Sequence, residues 1–468
     1  MDTTSEAVTA DSKRAGGSNS GASGMRTDGW TRSAMAAAFA AALAIRLPLM
    51  TQPGFGGDLM QFVMWADRGA ALGTAALYDQ RPDGRRISNY PPGYLYLLKG
   101  VARVHDLFAT PESRLSIQTF GEVGLSYGTP EARQAYFFFK LPSVLADAAL
   151  AMLLVSLLWG RVGGAWAASA GAAYALLPCV WHNSAAWGQM DGILSLILVA
   201  SLEAARRGRI GWMAAMAVAA VLTKPQAAMI APIWLVALVR VVRTDRQAIA
   251  RAISASFVVA VALLWPVRSR LDGVWDALVG AATFYPFTHL NGFSAWFLQR
   301  PLDAPDLAQL ARVYARDDAA WLAGLTPRAL GLIAVLGVWV YVLSRARRAL
   351  QGIESFEHWT DWAACVLPLA FFVLATQMHE RYLFPAVALW LWAARPTAAW
   401  AIGAGLLALS VTVNQCWVWA GPADGWYTEW SRRMASGPWF GLRTGEFFAL
   451  VNAGLLVWML SRRRVQGR

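Results

Sequence analysis

The feature that most constrains this chain is a repeated alternation of apolar runs with short clusters of arginine. Twelve runs can be threaded, near 33–50, 137–158, 163–180, 188–203, 210–223, 226–242, 252–267, 328–344, 361–378, 382–394, 398–418 and 445–461. A helix needs roughly 20 apolar residues to cross a bilayer, so the shorter runs must be tilted, broken or half-buried. Composition agrees: 57% of the 468 residues are hydrophobic and 15% charged, against roughly 25% charged in a soluble domain. The chain reads as an all-α polytopic integral membrane protein with about twelve spans.

Charge then sets orientation. If every run is a crossing, Arg161, the clusters Arg206/Arg207/Arg209 and Arg240/Arg243/Arg246, Arg345/Arg347/Arg348, Arg395 and Arg462/Arg463/Arg464 fall on one side. By the positive-inside rule that side is cytoplasmic, and both termini lie in it. The net charge of +12 therefore reports topology, and nucleic acid is not an expected partner. The 24 tryptophans suit the headgroup zone, where one edge of an indole stays wet. Cys179, Cys365 and Cys416 are scattered through apolar runs with no ligand spacing, which argues against a disulfide framework or a zinc site.

Residues 1–28, rich in Ser, Thr, Gly and Ala, read as a disordered cytoplasmic tail. No cleavable signal peptide is evident, since the first apolar run begins only near Ser33. Residues 29–395 read as a transmembrane catalytic module and 396–468 as C-terminal spans. Two outer loops interrupt the module. The first, 51–135, is too long for a plain connector and holds amphipathic pieces at 58–77 and Tyr94–Val104. The second, 271–327, carries an aromatic segment from Phe284 to Phe297.

The same parity puts Asp58, His182, Asp191, His289 and the trio His379, Glu380, Arg381 on the outer side. Lys224 lands there too, against the charge rule. Its two flanking arms of about 14 residues reach only about 21 Å, short of the roughly 30 Å core. Lys224-Pro225 is therefore expected to turn inside the membrane, in a cavity open to the outside.

Asp58 follows two glycines where the first span gives way to the loop, and a carboxylate at that depth usually has a job. Four more stretches share its side: Asn89-Tyr90-Pro91-Pro92, Trp187-Gly188-Gln189-Met190-Asp191, Thr223-Lys224-Pro225-Gln226 and Gln377-Met378-His379-Glu380-Arg381-Tyr382. Each has a plain alternative. Asp58 would cap a helix starting at Leu59, and the proline pair would start one. Trp187 would sit in an interfacial belt. Lys224 would pair with a neighbouring acid, and His379-Glu380-Arg381 would be an ion-paired surface turn. His182 and His289 read as structural. Together the charged groups suit the transfer of a group from a lipid phosphate. One base takes the proton of an attacking hydroxyl, and cations stabilise the leaving phosphate.

On these five stretches the chain resembles the glycosyltransferase C superfamily, specifically the polyprenyl- or dolichyl-phosphate-sugar-dependent glucosyl- and mannosyltransferases. It looks most like the endoplasmic-reticulum glucosyltransferases that extend the lipid-linked oligosaccharide. Gly57-Asp58 is similar to that family's acidic motif in the first outer loop, and Trp187-Gly188-Gln189-Met190-Asp191 to its Trp-Gly-Gln-x-Asp. Asn89 stands where its Tyr-Pro-Pro motif has an acid, and Arg381 where its His-Glu-Lys has lysine. The resemblance covers about 50–395; the 421–444 loop carries no such motif.

The resemblance implies an inverting transfer, without metal or cofactor, from a lipid-phosphate sugar on the non-cytoplasmic face. Asp58 would be the catalytic base. Lys224, His379 and Arg381 would bind the donor phosphate. Tyr90, Trp187, Gln189, Asp191, Gln226, His289 and Glu380 would contact or orient substrate. The donor would be a polyprenyl-phosphate mannose or glucose, and the acceptor a lipid, glycan or protein of the cell envelope. High Arg and Ala usage points to a bacterial plasma membrane. The rival class is a transporter or lipid flippase with a charged cavity, which would place its site near mid-membrane between related repeats.

Overall fold

The computed structural model describes residues 20–109, 130–280, 285–299, 315–422 and 425–462. Of the expected 1–28 tail, residues 1–19 lie outside this range. From Ser20 the chain is already in its first helix, Ser20–Met50. The described residues are overwhelmingly helical. Their only sheet is a two-residue parallel ribbon, His289–Leu290 beside Met378–His379.

Among the described residues, seven helices are long and apolar enough to cross a membrane: Gly29–Met50, Ala132–Val162, Pro225–Val242, Gln247–Val279, Pro327–Leu350, Ala398–Val418 and Thr444–Ser461. Five of the twelve runs thus fall short of that standard. They form Gly164–Leu176, Asp191–Arg206, Ile210–Val221, Phe356–Leu374 and Phe384–Trp392. Packing explains part of the shortfall. Phe384–Trp392 rises only about 14 Å, and all nine of its residues are buried. A helix enclosed by protein need not match the thickness of a bilayer. The opposite case is Gln247–Leu264, where Ala248 and Ala252 alone are buried while Ile253, Phe257 and Val258 face outward. Its apolar surface suits lipid. That helix continues through a 3-10 turn, Trp265–Arg270, to Val279, so 271–279 of the expected second loop is helical.

The first outer loop folds as two packed amphipathic helices, Gly56–Leu72 and Pro92–Phe108. The piece expected at 58–77 starts earlier and closes as a separate turn, Thr74–Tyr78. Leu59, Phe62, Val63 and Trp65 pack with Tyr94, Leu95 and Leu98. Pro91 and Pro92 do start the second helix, because a fixed φ and a missing N–H cost nothing at a helix N-terminus.

Buried polar links tie the helices together. Arg46 and Asp147 pair at 3.3 Å with both side chains fully buried, and the Tyr174 hydroxyl donates to the same carboxylate. At one end of the bundle Arg161 and Arg206 share Asp361 and lie over the Trp392 ring. Arg345 pairs with Glu354, and Arg395 and Arg462 lie over Trp400. Asp191 opens the helix that Arg206 closes, a rise of about 22 Å. Arg206 with its Asp361 partner and Asp191 therefore lie at opposite ends of this helix.

Candidate functional site

Asp58 lies in the first turn of Gly56–Leu72, whose N-cap is Phe55 with no side-chain cap bond. The plain alternative, in which Asp58 caps this helix, does not hold. Its carboxylate instead accepts from Trp187 Nε1 at 2.7 Å and faces Arg381 at 3.5 Å, while a fifth of the side chain stays exposed. The chain before it docks on the same tryptophan. Phe55 N donates to the Trp187 carbonyl at 3.1 Å, and a Cβ on Gly54 would come within 2.5 Å of that oxygen. Gly54 thus allows the backbone before Asp58 to lie directly on Trp187.

Trp187 ends a π-helical turn, His182–Trp187, which Gly188 terminates at φ +93°. Such turns often re-aim side chains at functional sites. Trp187 is buried rather than in a surface belt. Gln189 donates its backbone N–H to Asn183 O at 2.9 Å, and its buried side-chain amide has no hydrogen-bond partner. Asp191 begins the next helix, accepts from Asn183 Nδ2 at 3.2 Å, and forms a buried ion pair with Lys224.

Lys224 sits in the extended break between Ile210–Val221 and the turn Pro225–Ile230; the arm expected to be short on its far side, Pro225–Val242, is long and apolar enough to cross a membrane. Lys224 Nζ lies 5.5 Å over the Tyr382 ring. The Pro92–Phe108 helix docks on this break: Gly93 N donates to Leu222 O at 2.8 Å, and a Cβ there would meet the same oxygen at 2.8 Å. Gln226 follows, nearly buried, with Nε2 unpaired.

Glu380 and Arg381 form an ion pair, buried and not on a membrane surface. His379 Nδ1 is 3.7 Å from Glu380. Burial pushes the Glu380 carboxyl up, but Arg381 and His379 outweigh it and hold the group at about 2. It is a fixed anion at any working pH. Arg381 also reaches the Tyr90 hydroxyl, and its buried Nε has no hydrogen-bond partner. Burial raises that hydroxyl above its ordinary value, with Asp58 and Asp191 adding and Arg381 opposing, so Tyr90 keeps its proton.

The two ion-paired groups form one constellation. The Tyr382 ring lies 5.5 Å from Lys224 Nζ and 5.0 Å from the His379 ring, and Arg381 links that segment to Asp58 and Trp187. Five separated stretches thus bring Asp58, Tyr90, Trp187, Asp191, Lys224, Glu380 and Arg381 together. His289 stands beside them in the ribbon, paired in register with Met378, with its ring 4.9 Å from Phe297. An open cavity of about 410 Å3 beside Phe297, Trp417 and Arg443 has none of the charged constellation on its wall.

Tyr382 closes the His-Glu-Arg stretch and was given no role in the sequence, and Asp317 went unnoticed there. Asp317 is fully buried. It accepts from Arg328 at 2.6 and 3.1 Å, from Thr376 Oγ1 at 2.8 Å and from Gln377 Nε2 at 2.8 Å. It pins the strand that carries His379, and its flanking charges Arg316 and Asp318 look like solvated surface. A scan against protein-family models and a search of curated proteins find no match to this chain.

Proposed function

We propose that this chain is an inverting membrane glycosyltransferase that moves a hexose from a polyprenyl-phosphate donor to an extracytoplasmic acceptor, with Asp58 as the base. The observation that carries the reading is the constellation itself. One partly exposed carboxylate, Asp58, is held beside buried cations drawn from other stretches, and the Arg381 Nε donor among them is unpaired. A buried donor without a partner is costly, and an anionic ligand would satisfy it.

In this mechanism the acceptor hydroxyl gives its proton to Asp58 as its oxygen forms the new bond to the anomeric carbon. The bond from that carbon to the phosphate oxygen breaks, and its electron pair leaves with the phosphate. Attack opposite the leaving group inverts the centre and needs a single base. Retention would need a second carboxylate as nucleophile, whereas Asp191 and Glu380 are committed to Lys224 and Arg381. Trp187 Nε1 fixes one Asp58 oxygen and so aims the other. Three carboxylates face Lys224, Arg381 and His379, so the leaving phosphate is neutralised by sharing cations with Asp191 and Glu380. Twelve crossings, counting the short inner helices, and a plasma-membrane location with the Asp58 end outside complete the proposal.

The test is release and transfer of radiolabelled sugar from polyprenyl-phosphate-mannose and polyprenyl-phosphate-glucose, in membranes holding the wild type or Asp58→Asn. Asparagine keeps size and hydrogen bonding but cannot take the proton. Transfer should fall by about 10²- to 10⁴-fold with the melting temperature unchanged. A fully active Asp58→Asn would remove the base assignment, and a wild type that turns over neither donor would remove the enzyme reading.

A further inference from the structure

The arginine end carries two cations that the chain leaves without an acid. Arg161 and Arg206 there share Asp361, and Arg345 pairs with Glu354. Among the described residues, Arg395 and Arg462 form no ion pair. Both guanidiniums instead lie over the Trp400 ring, at 5.4 and 5.5 Å, and Arg462 also lies 4.1 Å over Trp458. The indoles beneath them are fixed. Trp400 Nε1 donates to the Trp390 carbonyl at 3.3 Å and Trp390 Nε1 to the Trp400 carbonyl at 3.2 Å. Trp390 and Trp458 stack with their planes 13° apart. Burial and the nearby Arg395 charge both push the Arg462 guanidinium below its ordinary value. Two cations on one ring repel, and an anion between them relieves the repulsion.

We infer that Arg395 and Arg462 hold the phosphate of an anionic phospholipid from the leaflet that adjoins the arginine end. Arg395 precedes the Ala398–Val418 helix and Arg462 follows Thr444–Ser461. Both helices are long and apolar enough to cross a membrane, so the two charges sit at headgroup level. The helices are neighbours, since Gly403 lets the Trp458 ring lie against the first of them. Ile402 on one and Val457 on the other are 62% and 65% exposed, and each lies four residues, about 6 Å, inside its helix end. Leu406 and Leu450 continue these exposed stripes inward. A phosphate at the arginines therefore lays acyl chains on apolar surface that is open among the described residues. The guanidinium fork matches phosphate oxygens, and basic pockets between spanning helices suit anionic headgroups. A zwitterionic headgroup would bring a third cation to the same ring, so the lipid carries net negative charge. Arg206 overlies Trp392, three residues before Arg395, which places the platform at the end of the Asp191–Arg206 helix away from Lys224. The inference needs membrane insertion alone and is independent of sugar transfer.

The test uses the full-length protein, stripped of lipid in a neutral detergent, with its melting temperature followed as lipid is added. Phosphatidylglycerol should raise the wild-type melting temperature saturably, and phosphatidylcholine and soluble glycerol phosphate should not. Arg395→Gln and Arg462→Gln should each weaken half-saturation by about fivefold, and the double variant should lose the shift. Arg246→Gln removes an exposed charge of another arginine cluster and should bind as the wild type does. Arg395→Lys keeps the charge without the fork; it should fall between wild type and Arg395→Gln, and it decides if the double variant does not fold. No saturable shift in the wild type, an equal shift with phosphatidylcholine, or an equal loss in Arg246→Gln overturns the inference. Glycerol phosphate binding at matching strength makes this a site for a free anion, and a dimer lost in the double variant makes it an interface between copies; either overturns it. Native mass spectrometry of the wild type then counts retained lipid, and no phosphatidylglycerol retained over phosphatidylcholine overturns it without any variant.

Discussion

A carboxylate that must take a proton has to be held without being neutralised. Asp58 is held by one indole N–H at 2.7 Å and one guanidinium at 3.5 Å, which leaves part of it exposed. That arrangement depends on how closely the preceding backbone lies on Trp187, and Gly54 sets the distance. An alanine Cβ at 54 would meet the Trp187 carbonyl oxygen at 2.5 Å and Leu59 Cδ2 at 2.8 Å; the leucine can yield, but the backbone oxygen cannot swing aside. Gly54→Ala should therefore cost about 1–3 kcal/mol of stability and displace Asp58, lowering sugar transfer at the same time. Gly100→Ala is the control. Nothing lies within 4 Å of its Cβ, and alanine in a helix interior is favourable by up to about 1 kcal/mol. Thermal unfolding of the two variants, followed by donor turnover, checks this; equal behaviour would show that the close approach has no consequence.

The elements differ in how far they could be read in advance. The Gly56–Leu72 and Pro92–Phe108 helices, the break at Lys224 and the constellation around Asp58 were legible because their signals are local: apolar periodicity, a proline pair, a misplaced lysine, short charged motifs. The depth of Phe384–Trp392 was not, because a run of apolar residues reads alike whether lipid or protein surrounds it. Gly54 and Gly93 were missed because what they accommodate, Trp187 and Leu222, lies more than a hundred residues away in sequence. Asp317 was missed because it sits between two charged residues and its partners lie 11, 59 and 60 residues away. Its acceptor oxygens gather Arg328, Thr376 and Gln377, and Gln377 is held at φ +63°, a conformation glutamine adopts only under constraint. Two residues later comes His379. Asp317→Ala should leave Arg328 unpaired and cost about 3 kcal/mol, the lower end of the range because Arg328 keeps some solvent. Donor KM should rise as the His379–Arg381 segment loosens. Unchanged donor kinetics in a destabilised Asp317→Ala would separate the clamp from the site.

The molecule as a whole is polarised. Its arginine clusters converge on Asp361, Glu354 and the tryptophans of one end, and the charged constellation lies about 22 Å away along the Asp191–Arg206 helix. Buried pairs such as Arg46–Asp147 add little net stability in such an interior, but breaking one strands a charge, so they fix the register of the helices that carry the two ends. The proposed orientation, with the arginine end cytoplasmic and Asp58 outside, follows from the positive-inside rule. Cysteine accessibility tests this directly, because the native Cys179, Cys365 and Cys416 are buried and will label weakly. Asp83 and Gln351 are both exposed; Asp83 lies in the turn closed by the Arg81 N–H to Arg85 O bond, and Gln351 follows the helix that carries Arg347 and Arg348 in its last turn. An impermeant maleimide applied to intact cells should label Asp83→Cys and reach Gln351→Cys only after permeabilisation. The reverse pattern would put Asp58 in the cytoplasm. A donor presented on the outer leaflet could not then reach the base, and the proposed direction of transfer would fall with it.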